Sequence, residues 1–186
     1  MYTIISLLRG INVGPSKTVA MDDLVSLYRS LGLENVRSYL RSGNILFDYP
    51  VADPGKLPDL LNDRISRMVG FPVTVFLRNE DDLMGIIRNN PFPVHMPEDG
   101  TRLHVTFLSA WPSPDAVNAV NTITDPVDKA VVLGSEVYLS CPEGYGRTRF
   151  SNTFLEKKLK VRATTRNWKT VITLAEMAGK PGASPE

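Results

Sequence analysis

The sequence predicts an α+β protein made of two packed lobes with mixed or antiparallel sheets. Short runs of β-branched and apolar residues, typical of strands, alternate along the chain with amphipathic stretches of helical period. The order strand, helix, glycine-turn hairpin occurs twice, and the second copy begins about 100 residues after the first. A repeated element order predicts two similar halves, and 186 residues are enough for two small domains.

The first half contains the elements of a ferredoxin-like domain in the order βαββαβ. Two extended runs flank Gly43-Asn44 and indicate a hairpin with this pair at its tip, because glycine accepts the positive φ of a type II′ turn. The predicted elements are a strand at 3–8, a loop at 10–20, a helix from Asp22 ended by Gly32, the hairpin at 36–48, a helix from Pro58 ended by Gly70, and a strand at 73–77.

The second half begins after a predicted acidic helix at 79–89 and a proline-rich loop. Two predicted helices, at about 151–160 and 166–178, stand where the first half has a helix and then a strand, so the order there is βαββα(β) with two C-terminal helices. The elements before them are a strand at 102–108, a helix after Pro114, and strands at 129–133 and 136–141.

The predicted lobes cover residues 1–90 and 101–178, and residues 179–186, rich in small and polar residues, predict a flexible tail. The apolar start of the chain ends at Arg9 and is too short for a signal peptide. No run reaches the roughly 18 apolar residues of a membrane span. With Cys141 as its single cysteine, the chain is expected in a reducing compartment, the cytoplasm, without a membrane partner.

The sequence lacks the residues that characterise several classes of enzyme. The two histidines, His95 and His104, have no partner at metal-ligand spacing, and we expect no metal and no cofactor. Motifs of serine hydrolases, zinc proteases, P-loop proteins and Rossmann proteins do not occur. His104 alternates with Thr106 in a predicted strand, which favours a half-exposed sheet face.

Charge is distributed unevenly, although the formal net charge is only +1. Residues 48–143 carry seven basic and fourteen acidic side chains, whereas residues 144–186 carry nine basic and three acidic ones. A basic terminal segment attracts polyanions, and an acidic segment repels them. The distribution therefore points to an anionic partner near the C-terminal end, or to self-association between the acidic and basic segments.

Four segments resemble a known family: LLRGINVG at 7–14, YLRSGNILF at 39–47, NPF at 90–92 and EKKLKVRATTRNWKTV at 156–171. They are similar to the bacterial domain-of-unknown-function family numbered 1697. The resemblance implies a bacterial α+β protein and no particular activity. This chain departs from the family pattern at Pro15, where a second glycine is usual, at Arg41, where glutamine is common, and at Arg149, where lysine is common.

The strongest candidate site is the segment PEGYGRTRFSN at 142–152. Gly144 and Gly146 allow unusual backbone angles, and Ser151 or Asn152 is suited to cap the helix that follows. A glycine-containing loop at a helix N-terminus, with Arg147 and Arg149 beside it, is an arrangement that binds phosphate or carboxylate. The alternative interpretation is an ordinary connection between a strand and a helix.

A second candidate is ATTRNW at 163–168. Thr165, Arg166 and Asn167 offer polar groups beside Trp168, whose ring can stack on a base. Alternatively, Thr165 caps the last helix, Trp168 packs in the core and Arg166 pairs with an acidic residue.

Arg9 and Asn12 follow the first strand, and Arg41 and Asn44 lie at the predicted hairpin tip, where loops often contact ligands. Turn geometry is the alternative explanation for both asparagines.

These residues predict a protein that binds an anionic ligand, either a phosphorylated small molecule or a nucleic acid. Two alternatives stay open. One is an enzyme that acts on a phosphorylated substrate without a metal or histidine. The other is a protein–protein interaction module, oligomeric through its acidic middle and basic C-terminal segments.

Overall fold

A computed structural model describes residues 1–12, 17–95 and 98–179. Within these ranges the strands are β1 (Tyr2–Arg9), β2 (Glu34–Tyr39), β3 (Asn44–Tyr49), β4 (Thr74–Asn79), β5 (Leu103–Leu108), β6 (Lys129–Leu133), β7 (Glu136–Ser140) and β8 (Ala163–Asn167). The helices are α1 (Met21–Ser30), α2 (Leu57–Val69), α3 (Glu80–Arg88), α4 (Pro114–Asn121), α5 (Asn152–Leu159) and α6 (Trp168–Ala178), with short 3-10 turns at Glu98–Gly100 and Tyr145–Arg147.

The strands form two four-stranded antiparallel sheets, in the orders β2-β3-β1-β4 and β6-β7-β5-β8. Both halves have the order βαββαβ followed by a helix. The predicted α+β class and the ferredoxin-like arrangement of two lobes are therefore confirmed, with antiparallel sheets as the form that occurs. The repeat is more complete than the sequence indicated, because the second half also has its fourth strand.

That fourth strand, β8, corrects the prediction of a helix starting near residue 166. Residues 163–167 are a strand that pairs antiparallel with β5, and α6 begins only at Trp168. Asn167, and not Thr165, caps α6, since its side-chain oxygen accepts the N–H of Thr170 at 2.8 Å. Successive threonines favour extended backbone, but their polarity hides the strand in a hydrophobicity pattern.

The predicted hairpin is present, but its tip lies two residues earlier in the chain than predicted. Residues 40–43 form a four-residue turn, and Asn44 is the first residue of β3, opposite Tyr39. Gly43 has a φ of +78°, and a Cβ there would lie 2.6 Å from Ile11 Cδ1 and 2.9 Å from Leu8 Cβ. Glycine is needed at this position for the backbone angle and for the close approach of Ile11.

Contacts divide the chain into two units, Met1–Met84 with Leu174–Glu186, and Gly85–Thr173. The predicted bounds, 1–90 and 101–178, instead group the end of α6 with the second lobe. In the first unit a core between the sheet and helices α1 and α2 includes the edge-to-face pair Tyr28–Phe47, with ring centroids 5.6 Å apart. In the second unit a core between the sheet and helices α4 and α5 surrounds the fully buried Phe150.

Side chains of the adjacent helices bind outward-facing backbone groups of all four edge strands. Exposed strand edges invite pairing with other chains, and covering their backbone groups prevents it. Arg29 donates to the carbonyl of Val36 in β2 (3.5 Å), and Asn62 accepts from the N–H of Val75 in β4 (2.7 Å). Asn121 binds both backbone groups of Val132 in β6 (2.8 and 3.4 Å), and Glu156 accepts from the N–H of Ala163 in β8 (3.0 Å).

Two parts of the sequence-based interpretation fall outside the described residues: the loop with Pro15, and the predicted tail from residue 180 onward. In the part of the chain that is described, no helix is long and apolar enough to cross a membrane.

Candidate functional site

The hydroxyl of Thr165 is the centre of a polar cluster in the second unit. Thr165 lies opposite Thr106 in the pairing of β8 with β5, and their hydroxyl oxygens are 2.7 Å apart. The Tyr145 hydroxyl donates to Thr165 at 3.1 Å, and Thr165 donates to the side-chain oxygen of Asn152 at 2.7 Å. One hydroxyl donates once and accepts twice, so Thr106 must donate and the Thr165 hydroxyl is fully used.

This cluster joins the two candidate segments of the sequence. Tyr145 and Asn152 belong to segment 142–152, and Thr165 belongs to segment 163–168. The structure therefore brings together residues that the sequence placed in separate candidate sites. The loop is attached to β8 through hydroxyl hydrogen bonds, which fixes its position beside the first turn of α5.

His104 lies under Tyr145 and is buried, so the prediction of a half-exposed position is wrong. The two rings are 5.0 Å apart between centroids and 31° from parallel, and His104 is only 7% exposed. Its Nδ1 is 3.2 Å from the carbonyl oxygen of Arg102, which fits an Nδ1–H tautomer. Burial lowers the pKa of His104 below its ordinary value, and the ring is neutral at physiological pH.

The loop directs Tyr145 inward and Arg147 outward. Gly144 has a φ of 92°, an angle that an L side chain rarely adopts, and it precedes the 3-10 turn Tyr145–Arg147. Arg147 is 78% exposed, with Glu143 at 4.0 Å. Ser151 caps α5, as predicted, by accepting the N–H of Phe154 at 3.3 Å.

Arg149 lies over the first turn of α5. Its guanidinium carbon is 5.5 Å from the ring centroid of Phe154 and 5.9 Å from that of Phe150. Its nearest carboxylate is Asp125, at 3.8 Å. Hydrogen bonds from the N–H groups of Asp128 and Val127 lower the pKa of Asp125, and the charge of Arg149 adds to this effect.

Arg166 lies on the opposite face of β8 from the Thr165 hydroxyl, because side chains alternate along a strand. It is 7% exposed, and its Nη1 donates to the Thr164 hydroxyl and to the Thr165 carbonyl, both at 2.9 Å. Burial lowers its pKa to about 10, so the guanidinium remains charged near neutral pH. The structure thus places Arg166 inside the protein and Asn167 at the α6 cap.

The remaining sequence candidates lie in the first unit. Asn12 has a φ of 53° and binds the backbone of Val19 (2.8 and 3.1 Å) and the carbonyl of Arg41 (2.6 Å). Asn44 is fully buried, and its amide donates to the carbonyl of Tyr39 and to Ser42. Both asparagines therefore hold turn geometry. Arg9 ends β1, and Arg41 is exposed in the hairpin turn.

Sequence reasoning missed the hydroxyl partners of Thr165. In the sequence, Thr106 belongs to an alternating strand and Tyr145 to a candidate loop, and neither residue indicates the other. The successive threonines Thr164 and Thr165 favour extended backbone and are a local indication of β8, but they do not indicate which strand it pairs with. The spacing of 59 residues between Thr106 and Thr165 gives no indication by itself.

Comparison with known proteins identifies a family and a fold. A family model described as "Protein of unknown function (DUF1697)" matches residues 1–138. The structure of the conserved bacterial protein SP0830 from Streptococcus pneumoniae is similar, with a TM-score of 0.75 and 23% sequence identity over 97% of this chain and 99% of that one. At this identity the likeness shows the fold alone. No curated protein matches the sequence.

Proposed function

Because this chain belongs to the DUF1697 family, whose description names no activity, we propose its function from the site: it binds an anionic, phosphorylated ligand at loop 144–152. The observation that carries the proposal is the position of two exposed arginines beside the capped N-terminus of α5. A helix N-terminus combines backbone donors with partial positive charge, and arginine adds a planar pair of N–H groups.

The arginines have donors available for such a ligand. Arg147 is well exposed, with the Glu143 carboxylate at 4.0 Å, whereas Arg149 lies 3.8 Å from Asp125, whose side chain is only 16% exposed and whose pKa Arg149 helps to lower. The Arg147–Glu143 distance exceeds hydrogen-bond range, and an exposed ion pair of this kind contributes little stability. A phosphate can therefore accept from the Arg147 guanidinium without first breaking a strong bond, and it competes with Asp125 for the guanidinium of Arg149.

The α5 N-terminus provides further donors. Ser151 satisfies the N–H of Phe154, while the N–H groups of Asn152 and Thr153 have no intrahelical acceptor because they open the helix. Asn152 is also held by its hydrogen bond from Thr165, so this end of the helix has a fixed position. Fixed donors cost less entropy when a ligand binds than mobile ones do.

The surrounding charge favours the same ligand. Residues 144–170 carry eight basic side chains and one acidic side chain, Glu156, and all of the basic ones except Arg166 are exposed. Their summed potential attracts an anion to this surface. We also propose that the protein is bacterial and cytoplasmic. This location fits a phosphorylated ligand and the single buried thiol, Cys141.

The test compares two double variants of equal charge change. Pyrophosphate, a nucleoside triphosphate and an oligonucleotide are each titrated against the wild type, Arg147→Gln/Arg149→Gln and Arg64→Gln/Arg67→Gln, whose residues are exposed on α2. A ligand at 100 times its Kd stabilises by about 2.7 kcal/mol, which thermal unfolding detects readily. We expect the first double variant to bind about tenfold or more weakly, since each lost charged hydrogen bond costs about 1.5–3 kcal/mol.

The α2 variant is expected to bind as the wild type does. Equal weakening in both variants would indicate nonspecific charge attraction and contradict a site at loop 144–152. Absence of binding to all three probes would leave self-association through the acidic and basic segments as the better proposal, with sedimentation in high and low salt as its measurement.

A further inference from the structure

Trp111 is the most exposed large apolar side chain of the described residues. It lies in the loop between β5 and α4, and 79% of it is exposed. Single exposed apolar side chains are common on soluble proteins, so this ring is informative only through the groups that lie beside it. The other tryptophan, Trp168, is 2% exposed, so the two rings differ sharply in access to solvent.

The ring of Trp111 is supported by a glycine turn. Its Cζ2 and Cη2 atoms lie 3.7 and 3.8 Å from the position that a Cβ on Gly134 would occupy. Gly134, with a φ of +63°, forms the turn between β6 and β7, beside the partly exposed Leu133. One edge of the indole thus lies close to the Gly134 backbone, and the rest of the ring is exposed and accessible to a base.

Cations lie at the same end of this sheet. Ser109 forms two hydrogen bonds with the backbone of Arg162. The N–H of Ser109 donates to the Arg162 carbonyl at 3.0 Å, and the N–H of Arg162 donates to the Ser109 hydroxyl at 3.0 Å. The turn residue Ser135 pairs with Leu108 on the other side of the same strand, at 2.9 Å. Two strand spacings, about 10 Å, therefore separate the backbone of the Gly134–Ser135 turn, beside Trp111, from the backbone of Arg162.

The basic side chains continue from this end along α5. Arg162 is 62% exposed, and its contact with Glu156 is long, at 3.9 Å. Lys160 is exposed at the end of α5, and Lys157 and Lys158 are exposed on its last turn. At about 1.5 Å per residue, the eight residues of α5 span about 12 Å from this end to Arg149. Exposed basic side chains therefore occur along α5 and at the end of the sheet that carries Trp111.

An acidic group, Glu136, lies close to Gly134. One of its oxygens accepts the Ser135 hydroxyl at 2.9 Å, and the other is 4.0 Å from the Cβ position of Gly134. This carboxylate disfavours a phosphate on the Gly134 side of the ring. A polyanion that contacts Trp111 is thereby directed toward the Arg162 side, where the cations are.

We infer that the anionic ligand is a single-stranded nucleic acid, with one base stacked on Trp111 and its phosphates along Arg162, Lys160 and α5 toward Arg149. This inference rests on the proposed anion site and names its ligand class. Aromatic rings interleaved with cations bind single strands because every base has a π-face and every linkage a phosphate. A protein partner fits less well, since a stable interface buries about 800 Å² per partner around an apolar centre, and this end of the sheet also carries the charged Arg162 and Glu136.

The first test uses the fluorescence of Trp111. Only this tryptophan is accessible to acrylamide, because Trp168 is buried. An oligothymidylate of about 12 nucleotides lies within the range of site sizes of single-strand binders. Its addition is expected to quench the exposed tryptophan and protect it from acrylamide. The association constant should fall by about 0.7 log units per tenfold increase in salt for each phosphate neutralised.

The second test uses variants at the ring. Trp111→Ala is expected to weaken oligothymidylate binding about tenfold, and Trp111→Phe, which keeps a π-face, is expected to recover most of the loss. Val127→Ala, which removes another exposed apolar side chain of the same unit, serves as the matched control and should have no effect. A duplex of the same length should bind more weakly, because its bases are stacked on each other.

The outcomes separate this inference from the proposed function. Oligothymidylate binding that is unaffected by Trp111→Ala, or equal binding of duplex and single strand, would overturn the stacking role and leave the arginine site intact. Binding of pyrophosphate or a nucleoside triphosphate at Arg147 and Arg149, without any binding of the oligonucleotide, would overturn the ligand class alone. Failure of all these probes would contradict both.

Discussion

Replacement of Trp168 by alanine is expected to lower the free energy of unfolding by about 3–5 kcal/mol. Trp168 is the first residue of α6 and is 2% exposed, and Val171, Ala175 and Ala178 continue a buried stripe along the helix. Truncation of the ring removes a large buried apolar surface and leaves a cavity that the neighbouring residues fill only in part. Chemical denaturation of the wild type and the variant measures the difference.

Trp111→Ala is the matched control, since it removes the same side chain from an exposed position. It should change stability by no more than about 0.5 kcal/mol. A Trp168→Ala variant as stable as the wild type would contradict the burial of this ring, and a loss of ligand binding in such a variant would assign Trp168 to the site.

Phe150→Ala is expected to be destabilising by a similar amount, about 3–5 kcal/mol. Phe150 is fully buried, packs edge-to-face on Phe154 with centroids 5.9 Å apart, and is held by the bond from its N–H to the Thr148 hydroxyl. It connects the loop of Arg147 and Arg149 to the hydrophobic core. Loss of the ring should therefore also loosen the loop, seen as faster hydrogen exchange of the Phe154 and Leu155 amides, which donate to the side chain and the carbonyl of Ser151.

Phe150→Leu keeps most of the volume and should cost less than about 1.5 kcal/mol. This variant is expected to retain pyrophosphate binding. If the Phe150→Ala variant has the same free energy of unfolding as the wild type, the ring does not anchor the loop. If Phe150→Leu folds normally but loses binding, the ring itself belongs to the ligand site.

The sequence was sufficient for elements whose burial follows a simple period. The helices α1 and α2 were predicted because their apolar residues recur every three to four positions, and the hairpin at 36–48 was predicted from two extended runs that flank Gly43-Asn44. The β8 strand has Thr164 and Arg166 at buried positions, with exposures of 2% and 7%. A strand that buries polar side chains has no apolar alternation, and the cap residues beside Trp168 suggested a helix instead.

The candidate site was predictable in its charged residues and not in the hydrogen bonds that position them. Arg147 and Arg149 stand in a recognisable glycine loop before a helix, which is a local pattern. The cluster of Thr106, Tyr145 and Thr165 depends on the pairing of β5 with β8, which only the tertiary structure supplies. Asn12 and Asn44 resembled ligand residues because the same amide groups that bind ligands also stabilise turns.

The most direct test of the central claim is an NMR titration of the ¹⁵N-labelled protein with pyrophosphate. We predict that the largest shifts occur at the amides of Asn152 and Thr153, at Gly144 and Gly146, and at the Nε–H of Arg149, and that Arg147→Gln/Arg149→Gln abolishes them. Two results would contradict an anion site at the start of α5. One is shifts confined to Arg9 and Arg41 in the first unit. The other is no shifts at a pyrophosphate concentration of several millimolar, which is on the order of the weakest Kd worth considering.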